Sequence, residues 1–192
     1  MTSGGDPEMS PGPYTGPIDA IVTPPAGYLE IESKWYVLHT KSRQEKLVAA
    51  ALDTAGITHF LPLVKRVSYY GRHKALLRVP LFPSYVFLWG TLDDAYVIDR
   101  TKRIAKIIRV SDQKRLEWEI RNIRMALERD AQLEPCPYLK EGVRVEVRAG
   151  PFKGLQGWVH RKKTENRLVL QVEAFARGAS LEIEASLLEV IE

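Results

Sequence analysis

One cysteine, Cys136, stands among 192 residues, which excludes an internal disulfide framework and any multi-cysteine zinc or iron–sulfur site. No apolar run approaches the roughly eighteen residues needed to cross a bilayer. The first residues lack the basic start and apolar core of a secretory signal. The chain therefore reads as soluble and cytoplasmic, with no membrane role. Residues 1–33 contain no Lys or Arg, yet hold Asp6, Glu8, Asp19, Glu30 and Glu32. The histidines, His39, His59, His73 and His160, are scattered without metal-ligand spacing or a neighbouring nucleophile motif. No glycine loop followed by a lysine and a hydroxyl residue is present to cradle a phosphate. Catalysis, a metal and a cofactor are accordingly not expected.

What is present is ordinary in bulk and uneven in charge. Hydrophobic residues at 45% and charged residues at 27% are close to globular averages, so most of the chain should fold, as one or two domains. The net charge of +4 divides into −5 on residues 1–33, +8 on residues 34–134 and +1 on residues 139–192. An excess of +8 over a central block of about a hundred residues argues for a polyanion nearby.

Residues 1–33, rich in Pro, Gly, Ser and Thr, cannot bury enough apolar surface to offset their ordering entropy and read as a disordered acidic tail. Trp35 to Leu38 reads as a buried strand. Ser42 and Glu45 carry a capping-box spacing that opens a helix with Leu47, Val48, Ala51, Leu52 and Ala55 on one face and Gly56 at its end. A second strand is expected over Ile57–Leu63. Lys65 to Arg78 reads as a hairpin turning at Gly71, and Leu81–Trp89 as a strand broken by Pro83. A short helix over Leu92–Asp99, a strand around Ile104–Val110 and an amphipathic helix from Asp112 to Arg129 complete an α+β domain, residues 34–130.

Residues 131–138, with Pro135 and Pro137, read as a linker. Beyond it, Val143, Val145 and Val147 alternate with charged residues. Leu168, Leu170 and Val172 form a second alternating run, and Gly150, Gly154 and Gly157 punctuate the segment. Residues 139–192 therefore read as a small β-barrel of four or five strands.

KWYVLHTKSRQEK (Lys34–Lys46), PLFPSYVFL (Pro80–Leu88), VRVEVRAGPFKGLQGWV (Val143–Val159) and EAFARGASLEI (Glu173–Ile183) together resemble the NusG family of transcription elongation factors. The third stretch looks like a KOW motif. The resemblance implies an N-terminal (NGN) domain with a four-stranded sheet flanked by helices, then a five-stranded KOW barrel. It also implies a monomeric, non-enzymatic factor that binds RNA polymerase at the clamp helices of the largest subunit and favours processive elongation. The implied docking surface comprises Phe82, Pro83, Tyr85 and Phe87, with His39 at its margin; Tyr85 and Phe87, two apart on one strand, are the expected exposed contacts. The resemblance brings the basic hairpin, with Lys65, Arg66, Tyr69, Tyr70, Arg72, Lys74 and Arg78, near the upstream fork, where it would meet the non-template DNA strand. A solvated hairpin edge protected by its charges is the alternative. Phe175 and Arg177 match the family's barrel site for a small-subunit ribosomal protein or, in some members, Rho.

Two departures refine this. Ala176 replaces the usual glycine between Phe175 and Arg177, which weighs against Rho and towards the ribosome. Lys41–Glu45, with LFPSYVF, looks more like the specialised RfaH-type antiterminators than housekeeping NusG. The β-formers and glycines of residues 143–172 oppose a helical alternative fold for the barrel. Phe152 is read as a structural plug. The remaining alternative is a KOW-containing ribosomal or other RNA-binding protein, against which the near-neutral barrel argues.

Overall fold

The first strand, β1 (Lys34–Thr40), has Trp35–Leu38 buried because it is an inner strand. Its neighbours are β5 (Tyr85–Gly90) on one side and β6 (Ile104–Arg109) on the other, both antiparallel. A two-residue strand, β2 (His59–Phe60), adds to β5, giving the order β2–β5–β1–β6. The register pairs Tyr36 with Leu88 and Leu38 with Val86. These four side chains join Val48 and Leu52 of helix α1 (Glu45–Thr54) and Ala95 and Ile98 of helix α2 (Leu92–Asp99) in one core cluster. With the period of two, Trp35, Val37, His39, Tyr85, Phe87 and Trp89 belong to the other face. Helix α3 (Gln113–Glu128) packs on the sheet at β1.

The computed structural model describes residues 33–191 except 71–72, 139–141 and 162–165. The acidic segment 1–32 and the turn residues Gly71 and Arg72 lie outside the described residues. Within them, α2 has the expected bounds, opened by a capping box between Thr91 and Asp94. Helix α3 starts behind Asp112, whose carboxylate accepts the Arg115 N–H, and buries Leu116, Ile120 and Ile123.

The opening of α1 differs from expectation. Ser42 and Glu45 form no capping box, and Gln44 caps the helix without a side-chain bond. The Glu45 carboxylate is engaged elsewhere, accepting the backbone N–H of Ser84 at 2.6 Å. Leu47, expected on the buried face, is 49% exposed, and Ala49 is buried instead. The strand expected over Ile57–Leu63 shrinks to β2, because β3 (Leu63–Tyr70) leaves the sheet to pair with β4 (His73–Pro80) in a separate two-stranded ribbon.

The C-terminal sheet has six strands where five were expected. Its order is β12 (Leu188–Val190), β8 (Val143–Val147), β9 (Gln156–Arg161), β10 (Asn166–Val172), β11 (Arg177–Glu182) and β7 (Glu134–Pro137). Val145, Val147, Leu155, Leu168, Leu170, Val172 and Leu181 form its interior, while Val143 is 53% exposed. Gly157 is required there: a Cβ would sit 2.6 Å from the Val169 carbonyl oxygen. The extra strand is the segment read as linker. Glu134–Pro137 pairs antiparallel with β11 instead of running free. Residues from 33 onward belong to one compact unit, so the two sheets are packed together and not strung apart.

Candidate docking and nucleic-acid surfaces

The turn before β5 is held from three sides. Ser84 adopts φ +69°, its N–H donates to Glu45, and its carbonyl accepts the Thr40 N–H at 2.8 Å. Leu81 N–H donates to the Pro62 carbonyl. This pinned turn sets Phe82, Pro83 and Tyr85 at the end of β5. His39, opposite Tyr85 in the register, stacks on it with centroids 5.0 Å apart.

Onto this aromatic surface folds a side chain from the other sheet. A 3-10 turn at Glu173–Phe175, between β10 and β11, carries Phe175. Its ring stacks on Tyr85 at 4.1 Å and 11°, meets Phe82 edge-on at 5.3 Å, and lies 5.8 Å from Phe87. Phe82 and Phe87 are consequently buried, at 2% and 0% exposure. Tyr85 is half-buried and Pro83 exposed. The reading of Phe87 as an exposed contact is corrected in this arrangement: it shares a sheet face with Tyr85 as the spacing requires, but that face is covered by Phe60 and Phe175. Arg177 is exposed, and Ala176 between the two takes the left-handed conformation, φ +50°. Phe152 is only half-buried.

Helix α3 reinforces the contact. The Glu119 carboxylate accepts the Glu173 N–H at 3.2 Å and the Arg115 Nε–H at 3.3 Å, and Arg115 also pairs with the Glu173 carboxylate. Burial pushes Glu119 up to about 7, against the lowering pull of the Glu173 N–H and of Arg115. Gln156 of β9 donates its backbone N–H to Asn122 Oδ1 at 2.8 Å and accepts the Trp118 indole N–H at 3.0 Å. Trp118 meets Trp158 edge-on, and Arg129 donates to the Lys153 carbonyl. Trp118, Glu119, Asn122 and Gln156 were given no role by sequence, and Glu45 was read only as a helix cap. The signal for Glu119 was there, since it falls on the stripe 116–119–120–123 of a helix whose charges were assigned to solvent.

Strand β7 continues the same junction. Pro135, Cys136 and Pro137 share with Leu81, Phe82, Pro83, Tyr85, Arg177 and Gly178 the lining of a cleft of about 330 Å³. Cys136 is half-buried, and burial raises its thiol pKa.

The ribbon β3–β4 carries the basic candidates. Lys65 faces Arg78, Arg66 faces Leu77, Val67 faces Leu76 and Tyr69 faces Lys74. Arg66, Lys74 and Arg78 are exposed, as are Val67, Leu76 and Leu77. Lys65 reaches Asp130 at 2.9 Å and holds that carboxyl below its usual range. Tyr69 and Tyr70 lie on β3, with side chains outside the described residues, and Arg72 lies outside them altogether. Among the described residues no His, Cys, Asp and Glu are grouped to hold a metal ion, and no helix is long and apolar enough to cross a membrane.

No curated protein sequence matches the chain significantly. Several solved structures show partial likeness. A Thermotoga maritima NusG structure, "Domain interaction in Thermotoga maritima NusG", matches with 22% identity and a TM-score of 0.43, over 85% of this chain and 100% of that one. A chain of "Crystal Structure of MjSpt4:Spt5 complex conformation B" matches with 18% identity and a TM-score of 0.27, over 82% and 97%. The family model described as "NusG: Transcription termination factor nusG" matches residues 33–125, which span the β2–β5–β1–β6 sheet, the basic ribbon and most of α3. Over those residues the chain matches the NusG family.

Proposed function

We propose that this NusG-family chain binds RNA polymerase at the clamp helices of the largest subunit and promotes processive elongation as an RfaH-like antiterminator. Phe82, Pro83, Tyr85 and Phe87, with His39 at the margin, form the docking surface. The observation that carries this reading is the Tyr85–Phe175 stack. An aromatic surface on the family domain is covered by a side chain of the second sheet, in the way an apolar anchor site for a helical partner would be. The same contact covers Phe175 itself, the candidate barrel site for a small-subunit ribosomal protein, alongside Arg177. In this arrangement Phe82, Phe87 and the stacked faces of Tyr85 and Phe175 are covered, so the active form is one in which Phe175 has left Tyr85.

The ribbon then contacts the non-template DNA strand. Exposed Arg66, Lys74 and Arg78 neutralise phosphates, and Val67 and Leu76 offer apolar contact beside them. Co-purification with core RNA polymerase tests the reading. Wild type should capture polymerase weakly, Phe175→Ala more strongly, and Tyr85→Ala not at all. Equal capture by all three, with each variant folded, would remove Tyr85 from the docking surface. No capture by any of them, together with salt-dependent RNA binding, would favour a KOW-type RNA-binding protein.

A further inference from the structure

The segment between α3 and the barrel does more than connect them. Glu134–Pro137 lies along β11 with Cys136 opposite Gly178 and Glu134 opposite Ser180. Pro135 and Pro137 have no N–H, so the donors that β7 can offer to β11 are those of Glu134 and Cys136. The two prolines leave the outer edge of β7 without donors at their positions, so the sheet ends there. The seat is fitted to its occupant. A Cβ on Gly178 would stand 3.1 Å from Cys136 Sγ and 3.2 Å from Val169 Cγ1, so the absence of a side chain at 178 makes room for the thiol. Glu134 pairs with Arg167 on the neighbouring strand.

We infer that β7 is a reversible zipper, docked on the β11 edge from Arg177 to Ser180, which must detach before Phe175 can clear Tyr85 widely enough to admit a partner. This rests on the reading that a helical element docks at Tyr85. With β7 paired, the free chain between α3 and the barrel is Arg129–Leu133. Five extended residues reach about 17 Å. Ala131 and Leu133 are themselves buried, and the Ala131 N–H donates to Ala126, so even that leash is folded down. A pair of packed helices is about 20 Å across. With β7 released, the leash extends to the start of β8 at Val143 and reaches about 45 Å, ample for such a partner. Strand β7 also lines the cleft against Phe82, Pro83 and Tyr85, so its departure and that of Phe175 strip the same surface. Release leaves the backbone groups of Gly178 and Ser180 unpaired, the only kind of exposed edge to which an extended strand can add.

The native thiol supplies the test. The 3.1 Å between Cys136 Sγ and the Cβ position of residue 178 is close to the spacing of about 3 Å between a Cβ and the partner sulfur in a disulfide. Gly178→Cys should therefore cross-link to Cys136 on oxidation and lock β7 in place. The readout is amide exchange at Glu173, whose N–H is held by Glu119 only while the sheets are packed together. Oxidised Gly178→Cys should exchange this amide at least tenfold more slowly than the reduced variant. Equal rates would overturn the zipper.

Should that variant fold poorly, Phe175→Ala gives an independent measurement. If opening and unzipping are one event, Glu173 exchange and Cys136 alkylation accelerate together. Faster Glu173 exchange with unchanged alkylation would mean that the barrel leaves with β7 still paired, and the inference fails. Polymerase capture is scored separately: its absence in oxidised and reduced protein alike would reject the helical-partner reading and leave the exchange result standing.

Discussion

The rings of Tyr85 and Phe175, ninety residues apart in sequence, lie parallel within 11° at 4.1 Å, each covering the other. Tyr85 stands on the sheet of the family domain and Phe175 on the 3-10 turn before β11. Truncating an anchor of this kind costs about 2 kcal/mol, or roughly thirtyfold in a closing equilibrium. Phe175→Ala should therefore raise polymerase capture by about that factor if the closed form dominates. Titration of core polymerase against wild type and variant measures it. Capture that is lower in the variant would mean that Phe175 contributes to binding instead of blocking it.

Glu119 makes the same interface sensitive to pH. Its carboxyl stands at about 7 when buried under Glu173 and returns towards the ordinary value near 4.5 once it reaches water. The packed form thus holds a proton that the separated or unfolded form releases. The stabilisation is fully present below the ordinary value and is lost as pH rises through about 7. Thermal unfolding of wild type and Glu119→Gln between pH 5 and pH 8 checks this. The variant has no proton to lose, so the difference in midpoint should move in its favour as pH rises. A constant offset would show that Glu119 keeps its charge in the packed form.

Ala176 sits at φ +50°, where a Cβ crowds the neighbouring carbonyl. Ala176→Gly should stabilise the chain by about 0.5–1 kcal/mol after allowing for the freer unfolded chain, raising the melting midpoint by about 2 °C. A lower midpoint would mean that the methyl group packs usefully.

On the ribbon, replacing Arg66, Lys74 and Arg78 with Ala should weaken binding to single-stranded DNA and flatten its salt dependence by about one phosphate contact per side chain. Lys65→Ala should do less, because Lys65 already pairs with Asp130. A salt slope unchanged in the triple variant would reduce the ribbon's charges to edge protection.

The secondary structure was legible wherever local chemistry decides it. The stripe of α3 follows from its periodicity, the bounds expected for α2 are the ones found, and the basic strands expected to pair on either side of Gly71 do so. What was hidden depends on residues brought together from afar. Glu45 has the spacing of a capping box, and only the arrival of Ser84 explains why its carboxylate points away from its own helix. Glu134–Pro137 has the composition of a linker, since two prolines in four residues argue against an inner strand. It is an edge strand, where prolines facing outward do no harm. Phe87 was assigned to an exposed face by alternation, and alternation was right about the face. It carries no information on whether another sheet covers that face.

The shared cover between Tyr85 and Phe175 has a thermodynamic consequence for any two partners of this chain. A ligand that takes up Tyr85 must work against the same packing equilibrium as one that takes up Phe175. Whichever binds first therefore removes that penalty for the second, and the enhancement is numerically equal in both directions. Two molecules that never touch would thus recruit one another through this chain, each reporting the presence of the other by its own affinity.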